Sequence, residues 1–488
     1  MPSRSLKILS NVFTSTVGNQ VQLVDVLFDE QINKILPRLH RTVSWIEISS
    51  RDKWKRFQEQ ISLLAPRQYS NDSTIYDGRF RLLIPGAIDT HVHFNTPGFE
   101  DREDFEHGSL AAASGGVTTV VDMPCTSIPP VTSLENLHAK LIAINGRSWV
   151  DYAFWGGISG NDFKDGKDIQ QQIRELTEEG VVGFKAYLIS GMKTFTDLTP
   201  DQMLQAAHWI KAISTGRPLA VHAEDKKLVE ERRAILQKKN VNDWQAYCQA
   251  RDVQAEAKAV ETMIDIARKS KCWIHIVHLS SKTGLKLIRR AREEGLDVTA
   301  ETCPHYLHFT RDDFKNPKIS AFLKTAPPVK SESDQDALWK GLKDGTISFV
   351  TTDHAGCDPK KEKISNNFWQ VYGGIPGVEH FVPFMFSEGF KKERLTLERT
   401  IDLISTNPAR FCGISKKKGT LEPGKDADMA LVNLWDRQVI KGIDMHSKGK
   451  YTPFEGVCFG AKVEDTFLRG IHERERHTHD GAFVLRFI

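Results

Sequence analysis

The 488-residue chain lacks a surplus of charge of either sign: 66 Lys and Arg stand against 63 Asp and Glu, a formal net charge of +3. That balance leaves no electrostatic footprint for nucleic acid or an anionic membrane, and a small-molecule partner becomes the default expectation. No apolar run approaches the length of a membrane span, and the opening MPSRSLKILSNVFTST has no long apolar core of the signal-peptide kind. The chain is poor in cysteine pairs. Its seven cysteines, at 125, 248, 272, 303, 357, 412 and 458, are odd in number and contain no C-x-x-C, which argues against a disulfide framework and for reduced thiols. A cytoplasmic location is therefore expected. Low-complexity segments and internal repeats are also missing, apart from one alternation of strand-like and helix-like stretches.

That alternation carries the fold. With 40% hydrophobic and 26% charged residues, the chain has the balance of an ordinary globular protein and the length for one large domain plus an accessory one. Eight short apolar, β-branched runs appear in order: LLIPGAIDTHVHF, GVTTVVDMP, VDYAFWGGI, VVGFKAYLI, PLAVHAED, CWIHIVHLS, LDVTAETCPHYL and SFVTTDHAG. Amphipathic segments such as DIQQQIRELTEEG and KTGLKLIRRAREEG lie between them, ending in the glycine that commonly closes a helix. Eight strand–helix units predict an α/β fold, a TIM-like (β/α)8 barrel over residues 84–412, in which strands buried on both faces read as continuous apolar runs. Residues 1–83 and 413–488 hold short strands punctuated by Gly, Pro and Asp, and are expected to meet in a small β-sandwich domain, with an insertion near 40–75.

In such a barrel, chemistry belongs at the C-terminal ends of the strands. His91 and His93 end the first strand two residues apart, so the period of two points both imidazoles to one face. His222 ends the fifth strand, His278 the sixth and Asp353 the eighth, while Lys185 interrupts the apolar run GFKAYLIS on the fourth. A single histidine at a strand end is ordinarily a hydrogen-bonded structural residue, and Asp353 alone could cap a helix. Delivered together to one mouth, these groups suit zinc or a similar divalent ion, and four imidazoles with a carboxylate exceed what one tetrahedral catalytic ion needs. Two ions would use them all, provided something anionic bridges the pair. Taken alone, Lys185 reads as a snorkelling side chain. Beside two dications it favours the neutral amine, which can add carbon dioxide and become a carbamate with two oxygens.

The set HVH, GFKAY, HAED, IVHLSS and TTDHAG, with the terminal GTLEPGKDADMALV, resembles the amidohydrolase superfamily, in particular its cyclic-amide branch of allantoinases, dihydroorotases and hydantoinases. The resemblance implies that His91 and His93 bind the more buried metal and His222 and His278 the more exposed one. Lys185, as N6-carboxylysine, would lie between them and Asp353 would complete the set. It also implies a hydroxide bridging the binuclear centre that attacks the carbonyl of a cyclic amide so that the ring C–N bond breaks, with Asp353 handling the proton, and a homo-oligomer, most often a tetramer.

Departures from the family patterns bear on which ring. Dihydroorotases usually carry H-x-H-x-R, whose arginine grips a carboxylate; Asn95 stands at that position here. They also tend to read D-H-A-P-H, where this chain reads DHAGC and ends on Cys357. Hydantoinases place a tyrosine five residues after the carbamylated lysine, a position held by Ser190. HVHFNTPG, GGVTTVVDMPCTSIPP and FWQVYGGIPGVE are similar to allantoinases, although DHAG stands for the usual D-H-S-P and TS for N-S or N-A. Hydrolysis of allantoin to allantoate is thus the expected activity. The alternatives are dihydroorotase, hydantoinase or dihydropyrimidinase, and, less in keeping with a complete ligand set, a non-catalytic scaffold of the dihydropyrimidinase-related kind. Asn95 and the backbone around Ala326 and Gly373 are the expected substrate contacts.

Overall fold

A computed structural model describes residues 6–39, 41–62, 67–70, 72–214, 216–478 and 480–486. The first five residues of the opening stretch, and positions 40, 63–66 and 71 of the expected insertion, lie outside it. Among the described residues, eight parallel strands run round a barrel: Ala87–His93, Val117–Asp122, Asp151–Phe154, Phe184–Tyr187, Leu219–His222, Ile274–Ile276, Val298–Thr302 and Phe349–Val350. The third reaches the fourth through the pairing of Gly156 with Phe184, and the ring closes where His354–Ala355 pairs with Val92 and His93. Each of the eight runs predicted from sequence supplies one of these strands. Their residues are buried almost without exception, as expected of strands covered on both faces.

The helices between them begin on side-chain caps: Ser133, Thr199, Asp225, Ser281 and Ser331 each accept a hydrogen bond from the first turn of the helix that follows. The helix Glu332–Asp344 ends at Gly345, whose φ of +85° lets the chain reverse into the eighth strand at no steric cost.

A nine-stranded sheet joins the two ends of the chain. Its path runs Ile471–His472, Lys462–Leu468, Met429–Asn433, Leu82–Pro85, Lys7–Ser15, Gln20–Phe28 and Ile32–Pro37, with Val43–Ser44 and Thr74–Asp77 on its flanks. Leu82–Pro85, within the run read as opening the barrel, pairs with Phe13 and Thr14 and with Met429 to Val432, so the turn into the barrel comes at Gly86. A Cβ there would lie 2.1 Å from Thr118 Oγ1. The sheet is apolar on both faces. Phe13, Val21, Leu23, Leu82, Ile84 and Val432 pack into the main core, while Leu9, Val24, Val26, Phe28, Leu83, Leu431 and Phe467 form a separate cluster.

The insertion folds as two helices, Trp45–Ile48 and Arg51–Ser62. Trp54, Phe57 and Ile61 recur at helical spacing and are buried, and Trp54 stacks on Trp435 with ring centroids 4.0 Å apart. All seven cysteines are free, and Cys458 alone among them is exposed. No helix among the described residues is long and apolar enough to cross a membrane.

Candidate metal centre

The ends of the strands bring the predicted groups to one cavity of about 230 Å³, whose wall includes His91, His93, His222, His278 and Asp353. His91, His93 and Asp353 form one group, with ligand atoms all within 4.8 Å of one another. Asp353 Oδ1 lies 3.2 Å from His91 Nε2 and 3.1 Å from His93 Nε2. His222 and His278 form a second, with His222 Nδ1 only 2.9 Å from His278 Nε2. The His278 and His91 rings, 5.6 Å apart, connect the two.

Lys185 is fully buried, and its amine has no hydrogen-bond partner. It does not reach the cavity wall, although Tyr187, two residues on, does. Among the expected substrate contacts, Ala326 and Gly373 line the cavity. Asn95 is buried beside it, outside the lining residues, with its side-chain nitrogen unpartnered. Asn95, His278 and Asp353 all adopt positive φ, of +58°, +40° and +49°. Left-handed backbone at non-glycine residues is held where the surroundings over-determine it, and these three are among eleven such residues in the described chain.

Three of the four histidines are oriented from behind, whereas His278 Nδ1 has no hydrogen-bond partner. Glu301 Oε1 accepts from His91 Nδ1 at 2.5 Å, which fixes the ring so that Nε2 faces Asp353. Glu224 Oε2 accepts from His222 Nε2 at 2.9 Å and forms an ion pair with Arg251, so that Nδ1 faces His278 as the free base. Thr126 Oγ1 lies 3.1 Å from His93 Nδ1. Glu301, Glu224, Arg251 and Thr126 were not singled out in the sequence. A carboxylate inside the apolar strand VTAET was the available signal for Glu301, the same anomaly that marks Lys185. Arg251 has no comparable local signal.

The electrostatics ask for positive charge at the centre. Burial opposes ionisation of Asp353, but His91 and His93 outweigh it and hold the carboxyl well below its usual range. Burial likewise opposes charge on His93, yet its bond to Asp353 raises it to about 10 in the absence of any other cation. His278 is depressed well below the ordinary imidazole value by burial and then by His222, so it is a neutral donor. Burial lowers the Lys185 amine to about 8, against the pull of Cys125, Glu301 and Asp353. An anionic carboxylate, imidazoles whose ring nitrogens converge and an unpartnered buried amine form a donor set that fits a pair of divalent ions. A second carboxylate cluster, Asp151, Asp426 and Asp428, does not: Lys418 Nζ sits 2.7, 3.3 and 2.5 Å from its three members, so the ammonium already supplies the cation.

The amidohydrolase family model matches residues 82–471. An allantoinase of Rubrobacter xylanophilus is 37% identical over 416 residues, covering 84% of this chain and 88% of that protein. One of Saccharomyces cerevisiae is 34% identical over 393 residues, covering 80% and 82%. Among solved structures, an L-hydantoinase (dihydropyrimidinase) from Arthrobacter aurescens superposes with a TM-score of 0.86 at 27% identity, covering 99% of this chain and 100% of that one. A D-hydantoinase gives 0.84 at 26% identity, covering 98% of each. With its barrel, its terminal β-domain and this set of strand-end donors, the chain belongs to the amidohydrolase family.

Proposed function

We propose that the protein hydrolyses a cyclic ureide, with allantoin as substrate and allantoate as product. The observation that carries this reading is the convergence of four imidazoles and one carboxylate on a single cavity at the barrel mouth, with the unpartnered Lys185 amine buried behind its wall. Identity of 37% to a protein named allantoinase directs it to allantoin. The likeness to solved hydantoinases supports a second reading, a hydantoin or dihydropyrimidine ring. Against it, Ser190 lines the cavity where that group is expected to place a tyrosine, and its hydroxyl is turned to Phe195 O at 2.7 Å.

Two divalent ions, zinc by the chemistry of the donors, would be held by His91 and His93 on one side and by His222 and His278 on the other, with Asp353 and Lys185 completing the set. Addition of carbon dioxide to the neutral Lys185 amine would form one N–C bond and release one proton, turning the amine into an anionic oxygen donor. When bound, the ions supply Lewis acidity that polarises the ring carbonyl and makes water nucleophilic near neutral pH. The chain does the rest. Asp353, kept anionic and aimed by two imidazoles, takes the proton from the attacking water and returns it to the departing ring nitrogen. The peptide groups around Ala326 and Gly373 orient the N–H and C=O groups of the ureide. Glu301 and Glu224, which can only accept, keep His91 and His222 in the tautomers this arrangement needs, and Thr126 holds the His93 ring in place.

Metal content measured alongside initial rates on allantoin, dihydroorotate, hydantoin and dihydrouracil tests the reading. Two zinc equivalents and a preference for allantoin are expected. A metal-free, inert protein would end the enzyme reading, and preference for another ring would replace allantoin by that ring. Light scattering checks the homo-oligomer that accompanies it.

A further inference from the structure

The cavity wall includes Tyr372 and Gly373, which belong to a segment, 364–374, without helix or strand. Such a segment needs another source of order if its backbone is to meet a substrate at fixed geometry. Two buried lysines supply it. Lys324 Nζ donates to Phe368 O at 2.6 Å, Trp369 O at 3.3 Å and Val371 O at 2.5 Å. Lys363 Nζ donates to Tyr372 O at 2.8 Å and Gly374 O at 2.9 Å, on either side of Gly373. Five carbonyls within seven consecutive residues thus point at two ammonium groups.

These are costly residues to bury. Each is 4% exposed, and among the described residues neither lies within ion-pair distance of a carboxylate. Burial lowers Lys324 to about 7, reinforced by the charges of Lys363, Arg251 and Arg233. Burial lowers Lys363 to about 8, opposed by Cys357 and Glu362. What compensates is the set of carbonyl dipoles together with ring faces: Tyr247 and Phe368 lie 4.6 and 5.3 Å from Lys324 Nζ, and Tyr451 and Tyr372 lie 5.4 and 5.8 Å from Lys363 Nζ. An apolar residue would fill either space without the desolvation penalty. Lys324 also touches both walls. Its own carbonyl accepts from Gly374 N at 3.0 Å, while Thr325 and Ala326, which follow it, line the cavity.

We propose that Lys324 and Lys363 are positioning residues of the substrate site, holding segment 368–374 so that the peptides of Ala326 and Gly373 stand ready for the ring. The role rests on the reading that those peptides contact the cyclic ureide. Both lysines act through the backbone, neither bonds to a metal-site histidine, and their loss should move substrate binding while leaving metal binding alone.

The test uses the metal-loaded enzyme and its best ring substrate from the panel above, comparing K324M and K363M with K324R and K363R. Methionine keeps the length and removes the donors and charge; arginine keeps both. The expected result is unchanged metal content, KM at least tenfold higher in K324M and K363M with kcat within about threefold, partial recovery in the arginine variants, and faster hydrogen exchange at amides 368–374. Faster exchange with an unchanged KM would make the lysines merely structural and overturn the proposal, as would unchanged exchange. If K324M fails to fold, K324Q, which keeps a donor without the charge, takes its place with the same criteria. A wild-type protein inert toward every ring would remove the functional reading on its own, and the exchange rates would still decide whether the lysines order the loop.

Discussion

Replacing Glu224 by glutamine isolates what orientation from behind contributes to the metal centre. Glu224 is fully buried two residues beyond His222, and one carboxylate oxygen serves both His222 Nε2 and Arg251. An ionised carboxylate can only accept, so it keeps the His222 proton on Nε2 and the lone pair on Nδ1, which faces His278 Nε2 at 2.9 Å. Glutamine can turn its NH2 to Nε2 instead, which places the proton on Nδ1 and blocks the donor. Loss of such a partner typically weakens metal affinity by 10–100-fold, or about 1.4–2.7 kcal/mol. Glu224→Gln also leaves the Arg251 guanidinium without its anion, and breaking a buried pair from one side costs about 3–5 kcal/mol of stability. The double variant Glu224→Gln/Arg251→Met separates the two effects. With both charges gone, stability should largely return in urea melts of the metal-free protein, whereas affinity, read by competition for zinc with a chromophoric chelator, should stay low. Affinity within threefold of wild type in Glu224→Gln would refute the orienting role. Affinity that recovers together with stability in the double variant would reduce that role to scaffolding.

Other perturbations test the remaining assignments. Lys185→Ala should lose bound metal and hydrolysis together, and added acetate or propionate with zinc should restore part of both; unchanged activity would remove the carbamate from the mechanism. Trp54→Ala, which deletes the ring stacked on Trp435 and set edge-on to Phe13, should cost about 3–5 kcal/mol in a urea melt while metal content per folded molecule holds. Lys418→Met leaves Asp151, Asp426 and Asp428 facing one another around an empty position, and should cost about 3–5 kcal/mol. Calcium or magnesium that rescued the stability of this variant would show the three carboxylates acting as a cation site once the ammonium is gone.

The residues of the centre were legible because the barrel turns one-dimensional order into position. A polar residue ending a buried strand must stand at the mouth, so His91, His93, His222, His278 and Asp353 could be gathered from strand ends alone. Lys185 was legible for a different reason: an amine in an apolar run has no bland explanation once its neighbours are known. The same logic extends to Glu301, two residues beyond Thr299 on the seventh strand, where a carboxylate among apolar residues signals a buried partner. Its partners, His91 and His275, could be identified only from the fold. Apolar patterning reports that a strand is buried without saying against which sheet. Leu82–Pro85 and Ala87–His93 therefore read as one run although Gly86 divides them between two sheets.

What remained hidden depends on contacts distant in sequence or on backbone shape. Arg251 meets Glu224 across 27 positions, and Lys324 meets Val371 across 47. No local pattern encodes either pair. The left-handed turns at His278 and Asp353 are equally silent, since neither residue is the glycine that usually announces such a conformation. These hidden features share one property: they orient groups. The proposed ligands are residue types read at strand ends, but the groups that would set the tautomer of His222, the aim of Asp353 and the standing of the Gly373 peptide are buried carboxylates, an arginine and lysines assembled by tertiary packing. A variant that keeps all six predicted ligands and alters Glu224 or Lys324 should therefore look intact in sequence and fail in function, at the metal in the first case and at the substrate in the second.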